Sequence, residues 1–309
     1  MLLLLSACGG GRKRDPASEL PVRRPLAVIA EAEIAGTILG QKLRAPSGLA
    51  VDGKGNLYVS DGGNNRIIKF DPDLVPLQDV GGYGNQPGLF DQPGFIVVDN
   101  NLNLLVGDAG NQRLCRYDSR LNYVDEISLL DDEDLLKYGY CSGIAVTDYG
   151  EVWMADRQNN RVVVFDNVGR FDRFVGEFGY SGGQLSSPEK IVYDGRSQFI
   201  VCDAGNSRVM VYDEYGNFSR RITSDALAYP IALAIDRQRH YWVVDSEKGR
   251  LAFLSPKGQS LFESNPMPPG TSTPLKNPSD IVILSQDRIA VADTGNNRIL
   301  ILRVILEEP

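Results

Sequence analysis

The sequence predicts an all-β fold: a six-bladed β-propeller of four-stranded antiparallel sheets, with the ring closed by the N-terminal strand. Three observations carry this. One polar hexapeptide returns six times at near-constant spacing, each copy holds three short apolar runs, and the last copy lacks a strand that the N-terminus can supply. The hexapeptides are DGGNNR, DAGNQR, DRQNNR, DAGNSR, DSEKGR and DTGNNR. They begin at Asp61, Asp108, Asp156, Asp203, Asp245 and Asp293, so the steps are 47, 48, 47, 42 and 48 residues. That period is the length of a four-stranded propeller blade.

Within a copy, runs rich in Val, Ile, Leu and aromatics alternate with turn residues, as in GLAV, NLYVSD and RIIKFD of the first. Such runs read as strands. A fourth, more variable strand follows, for example LVPLQDVG or RFDRFVGEFG. A lone meander cannot bury both of its faces, so neighbours must stack, and radial stacking gives six sheets a continuous core. The sixth copy ends after three strands. The stretch EIAGTILGQKLRAPSGLAV parallels RFVGEFGYSGGQLSSPEKIVY, so residues 32–39 are expected to complete the last blade. Closure of this kind removes the open edges of the array. The expected organisation is a signal over 1–8, a flexible tether over 9–30 and the propeller over 31–309.

On these repeats the chain resembles NHL-repeat six-bladed propellers over residues 31–306; the fifth copy, with its DSEKGR, departs most. The resemblance implies the propeller fold and a function on the face carrying the inter-blade loops.

Each hexapeptide places an Asp at the end of the second strand and an Arg at the start of the third. The pairs are Asp61/Arg66, Asp108/Arg113, Asp156/Arg161, Asp203/Arg208, Asp245/Arg250 and Asp293/Arg298. Six copies spread around a ring cannot converge on one substrate. Gly and Asn tolerate positive φ in the hairpin, and the Asp can accept turn N–H groups and pair with the Arg. A structural staple is expected.

The inter-blade loops bring Tyr83, Phe90, Tyr138, Tyr140, Tyr180 and Tyr229 to the same face, where exposed aromatics would anchor a protein or peptide partner. Where the innermost strands begin, the channel mouth receives Glu189, Lys190 and Asp280 together with Ser47, Ser142 and Ser279. The acidic run Asp131–Asp134 lacks the alternate spacing that turns carboxylates toward one ion, and a solvated loop is expected. His240 is the single histidine, which leaves neither the several His ligands of the amidating lyases nor a choice of Ser-His-Asp arrangement. It is read as an ordinary strand-start residue. No metal or cofactor is expected.

The four cysteines, Cys8, Cys115, Cys141 and Cys202, form no C-x-x-C pair. Cys115 and Cys202 lie in apolar runs and read as small buried hydrophobes. Cys8 ends LSAC, which resembles a bacterial lipobox and implies cleavage before a lipid-carrying cysteine. Seven residues precede it, fewer than a signal peptide carries, so the signal is expected to be truncated. Gly9 after the cysteine implies the periplasmic side of the outer membrane in a diderm cell.

No apolar run approaches the roughly 18 residues that span a bilayer. The net charge is −8, with +3 in residues 1–30 and −11 in the rest. An acidic body gives counterion release nothing to work with, so nucleic acid is not an expected partner. The expected protein is a monomeric, lipid-anchored binding module of the cell envelope. The alternative is a metal-dependent hydrolase or lyase using Glu189 and Asp280 at the channel mouth, as in propeller lactonases.

Overall fold

Each repeat folds into one antiparallel meander whose chain neighbours are also its sheet neighbours. The computed structural model describes residues 24–130, 138–266 and 273–307. Blade 1 comprises Pro46–Val51, Leu57–Asp61, Arg66–Phe70 and Pro76–Gly81. Blade 2 comprises Pro93–Val98, Leu104–Asp108, Arg113–Tyr117 and Tyr123–Ser128. Blade 3 comprises Cys141–Val146, Val152–Asp156, Arg161–Phe165 and Phe171–Val175. Blade 4 comprises Pro188–Tyr193, Gln198–Asp203, Arg208–Asp213 and Phe218–Thr223. Blade 5 comprises Pro230–Ile235, Tyr241–Asp245, Arg250–Leu254 and Ser260–Ser264. Blade 6 takes Asp280–Ser285, Arg288–Asp293 and Arg298–Leu306 from the C-terminal end and Pro25–Ile34 from the N-terminal end.

The core lies between blades. Successive side chains of a strand point to opposite faces, and each face of a blade meets a neighbour, so strands such as Leu57–Asp61 and Val152–Asp156 are buried at every position. Among the described residues the apolar side chains sort into six clusters, one for each blade–blade contact. In the cluster between blades 3 and 4, Trp153 stacks on Phe199 with ring centroids 3.6 Å apart. The outermost strands are far less buried, Pro76–Gly81 alternating between exposed and half-buried residues from Leu77 on, because one of their faces meets solvent.

The ring is closed by Pro25–Ile34, which runs antiparallel to Arg298–Leu306 from Pro25↔Leu306 to Ile34↔Ile299. This begins earlier than the 32–39 expected, and it takes residues 25–30 out of the expected tether. PLAVIAEAEI runs on with neither Gly nor a further Pro after its first residue, whereas Gly36 and Gly40 turn the chain into a small hairpin, Thr37–Ile38 against Gln41–Lys42. Pro25 enters at the end of the blade opposite the Asp–Arg turns. Cys8 and the acidic run Asp131–Asp134 lie outside the described residues.

The innermost strands of blades 1 to 5 start with a bulge. Register shifts fall between Pro46 and Gly48, Cys141 and Gly143, and Pro230 and Ala232, and the shift is wider between Pro93 and Ile96 and between Pro188 and Ile191. A bulge re-aims side chains. It is the reason that Glu189 and Lys190, adjacent in sequence, are both buried and turn to different partners.

Candidate functional site: the loop-bearing face and the channel

The six turn aspartates are fully buried. Asp61 accepts the Arg44 backbone N–H at 2.8 Å on Oδ1, and the Asn64 amide and Arg66 Nε, each at 2.8 Å, on Oδ2. The same three bonds recur at Asp108, Asp156, Asp203 and Asp293. The backbone donor stands 17 residues before the Asp each time. It therefore lies in the loop arriving from the preceding blade and not within the turn, as the sequence had suggested. Arg66, Arg113, Arg208 and Arg298 are buried as well, with Arg161 half-buried, and the outer nitrogens of those four hold carbonyls of that loop. Arg208, for example, reaches Tyr180, Ser181 and Gln184.

A second fixture points the other way around the ring. The residue before each Arg is left-handed, with φ between 50° and 58° at Asn65, Gln112, Asn160, Ser207, Gly249 and Asn297. Asn65, Asn160 and Asn297 accept the N–H of Gln92, Ser187 and Ala45, each in the loop leading to the next blade. So Asn297 ties blade 6 to blade 1. The glycine of the hexapeptide serves another purpose: a Cβ at Gly63 would lie 2.8 Å from the Arg44 carbonyl, and one at Gly205 2.9 Å from that of Ser186. Those glycines are there for close approach, and the left-handed position takes Asn, Gln, Ser or Gly. Blade 5 differs. Asp245 accepts the Ala228, Tyr229 and Lys248 N–H groups, while Arg250 pairs with Glu263 and its Nε has no acceptor.

By strand direction, the inter-blade loops share this face. Tyr83 is 76% exposed, Tyr180 63% and Tyr140 48%. Phe178, at 71%, joins them; it was not expected, because the sequence places it at the end of a fourth strand. The loops 81–94 and 176–189 are built alike, with parallel bridges Tyr83↔Phe90 and Phe178↔Leu185. In both, the first ring faces solvent and the second residue plugs the core. Phe90 is thus completely buried against Tyr117, and its expected place on the binding rim is corrected. Tyr138 is half-buried on Phe165. Tyr229 is half-buried too, with its hydroxyl on Arg157.

The polar residues at the channel mouth divide into two sets. Lys190 of blade 4 crosses to Asp280 of blade 6 with Nζ–Oδ2 at 2.8 Å, both side chains being nearly inaccessible. Asp280 also accepts the N–H of Leu49 and of Ile281, so three donors hold it. Glu189 turns away, toward Arg157 at 3.0 Å and the Tyr229 hydroxyl at 3.5 Å. Burial pushes the Glu189 carboxyl up to about 7, with Arg157 and Tyr229 pulling in the opposite direction. Arg157, with its side chain 45% exposed, lines a surface cleft with Tyr140, Gln158 and Ser187. The sequence carried a signal for this cluster: Arg157 stands where other copies have Gly, Ala, Ser or Thr, and Glu189–Lys190 where blades 1 and 3 have Ser-Gly.

His240 is buried at the head of Tyr241–Asp245, its Nδ1 3.1 Å from Asp236 and its ring 5.0 Å from Phe253. Cys115, Cys141 and Cys202 are free and buried, and burial raises the thiol of each, Cys115 and Cys141 to about 12.

Comparison with known families agrees with this architecture. Residues 43–70 and 275–302 match the NHL repeat, and residues 130–255 match a family described as a 6-bladed beta-propeller. The chain is a six-bladed β-propeller. Segments of its first and last blades match the NHL repeat, and its N-terminal strand shares a sheet with the C-terminal strands. No curated protein matches it. Among solved structures it is similar to virginiamycin B lyase from Staphylococcus aureus, at 15% identity and TM-score 0.61, covering 90% of this chain and 99% of that one. A streptogramin B lyase gives 14% identity and TM-score 0.61 over 89% and 88%. A Bacteroides thetaiotaomicron protein of unknown function gives 16% and 0.64 over 89% and 73%. These likenesses are of fold.

Proposed function

We propose that this propeller is a binding module of the cell envelope, tethered through a lipid on Cys8, and that it takes a protein or peptide partner on its loop-bearing face. The observation that carries the reading is the arc of Tyr83, Tyr140, Phe178 and Tyr180, between 48% and 76% exposed on three consecutive inter-blade loops. Exposed aromatic rings on a rigid scaffold are what partner surfaces use as anchors. Strand direction adds to this: Pro25 enters at the opposite end of the ring, so a tether leading to Cys8 leaves the aromatic face turned outward.

The test is capture from solubilised envelopes. Tyr83→Ala and Tyr180→Ala are expected to change the unfolding midpoint little, by under about 1 kcal/mol as for exposed sites, while the captured partner drops out. Unchanged capture by both variants would sink the reading.

One observation favours a second reading, a hydrolase or lyase. Glu189, pushed up to about 7 by burial, lies behind Arg157, which lines an open cleft, and a raised carboxyl of this kind suits acid–base work. Asp280 is a poorer candidate for a metal ligand, since an ion would have to displace Lys190 and two peptide N–H groups. Metal analysis of the purified protein and of Glu189→Ala and Asp280→Ala separates the readings. Stoichiometric metal lost in both variants would favour the enzyme.

A further inference from the structure

We propose that the cleft around Arg157 takes one carboxylate of a peptide partner, an assignment that rests on the binding role proposed above and names the chemistry it selects. The cleft, about 390 Å³, is lined by Tyr140, Arg157, Gln158 and Ser187, and none of the four carries a negative charge.

The turn that holds Arg157 does not need it. Gly62, Ala109, Ala204, Ser246 and Thr294 fill the same position in the other five hexapeptides, and those turns form with short side chains or none. Nor is an exposed arginine required merely to neutralise Glu189. Lys190 neutralises Asp280 under nearly complete cover, with side chains 8% and 0% accessible. Arg157 is left 45% accessible, and its partner Glu189 lies behind it at 3%. A guanidinium carries five N–H donors. Glu189 engages Nη1 at 3.0 Å and the Tyr229 hydroxyl engages Nη2 at 3.1 Å, so three donors have no acceptor among the described residues. Two parallel N–H bonds to one carboxylate are the strong form of that contact. Burial pushes the Glu189 carboxyl up to about 7, so near neutral pH the guanidinium keeps part of its charge for an incoming anion. The walls are fixed by turn bonds: the Arg157 N–H donates to the Tyr140 carbonyl at 3.2 Å, and the Ser187 N–H to Asn160 at 2.8 Å. Tyr140, half exposed beside the guanidinium, gives the rest of the peptide a ring to lie on.

The experiment is calorimetric titration of the full chain at pH 7 with three peptides. Acetyl-Tyr-Glu-Tyr-amide carries a side-chain carboxylate, acetyl-Tyr-Gln-Tyr with a free C-terminus carries a terminal one, and acetyl-Tyr-Gln-Tyr-amide carries none. At least one carboxylate peptide should bind saturably, about tenfold or more tighter than the neutral one, and the tighter of the two identifies the source. Arg157→Gln should remove that preference. Arg170→Gln, an exposed arginine in an outer turn of the opposite face, should keep it. If Arg157→Gln does not fold because it strands Glu189, the double variant with Glu189→Gln is read in its place.

No saturable binding by any of the three peptides overturns the proposal. So does equal binding by all three, or a carboxylate preference that survives in a folded Arg157 variant. Inorganic phosphate displacing the bound peptide better than acetate at equal concentration would assign the cleft to phosphate groups and overturn the carboxylate. Capture from envelopes tells the two proposals apart. A partner still captured by Arg157→Gln but lost with Tyr83→Ala would remove the carboxylate site alone, whereas a peptide preference with no captured partner would remove the envelope role and leave the site.

Discussion

Asp203→Ala is expected to destabilise the propeller by about 3–5 kcal/mol, the loss that follows when one partner of a buried pair is removed, and to lower the unfolding midpoint by roughly 10 °C. Asp203 and Arg208 both have fully buried side chains, 2.7 Å apart. Burial pushes the Asp203 carboxyl up even though Asn206, the Ser186 N–H and Arg208 all hold its charged form. The pair is therefore costly to assemble and still more costly to break. Truncation leaves the Arg208 guanidinium without its counter-ion, and it frees the Ser186 N–H that anchors the loop from blade 3. Replacing both partners, as Asp203→Ala with Arg208→Leu, should recover only part of the loss, because Arg208 also holds three loop carbonyls.

Blade 5 is the internal control. Arg250 is paired with Glu263 and not with Asp245, so Asp245→Ala strands backbone N–H groups but no charge. A loss of about 2 kcal/mol is expected there. Denaturant unfolding of the two single variants decides it: equal losses would mean that the turn bonds matter and the buried charge does not.

The repeat was legible because a propeller writes its geometry in a period. An Asp five residues before an Arg, six times over, is a turn pattern whatever its detail. What the hexapeptide grips was not legible. The N–H that Asp61 accepts belongs to Arg44, and nothing in the spacing says that a residue 17 positions earlier passes beneath the turn. The Tyr83/Phe90 offset returns at Phe178/Leu185, but hydropathy does not say which of two apolar loop residues turns inward, so Phe90 and Phe178 were not sorted. Only the bridges Tyr83↔Phe90 and Phe178↔Leu185 sort them. The bulge at Pro188–Ile191 hid the third feature, since regular alternation gives no reason for two neighbouring charged residues to be buried together. The more informative sequence signal lay in departures from the repeat. Arg157 in the third copy, Glu189 and Lys190 in the fourth and Asp280 in the sixth all break the consensus, and they are the groups that meet at the channel and its cleft.

Glu189 supplies the other large effect, and its sign is specific. The folded carboxyl titrates near 7 where an ordinary glutamate titrates at 4.5. Between those values the folded chain keeps a proton that the unfolded chain has released, so this group's contribution to stability falls as pH rises from 4.5 to 7 and is level above. Glu189→Gln has the shape of the protonated form and cannot lose the proton. The variant should match the wild type near pH 4.5 and exceed it by up to about 3 kcal/mol above pH 7. Comparing the two proteins at each pH cancels the other carboxylates, several of which act in the opposite direction because an Asn side-chain amide and then turn N–H groups hold them charged against desolvation. Urea unfolding at pH 5 and pH 8 measures the difference, and parallel pH profiles for the two proteins would show that Arg157 already keeps Glu189 ionised. The same proton acts on the cleft. Ionised Glu189 commits the half-exposed Arg157, at 3.0 Å, to a full ion pair, and neutral Glu189 leaves the guanidinium charge available beside Tyr140. Capture of a partner through an acidic group at that cleft is therefore expected to weaken between pH 6 and 8 in the wild type and to be insensitive to pH in Glu189→Gln.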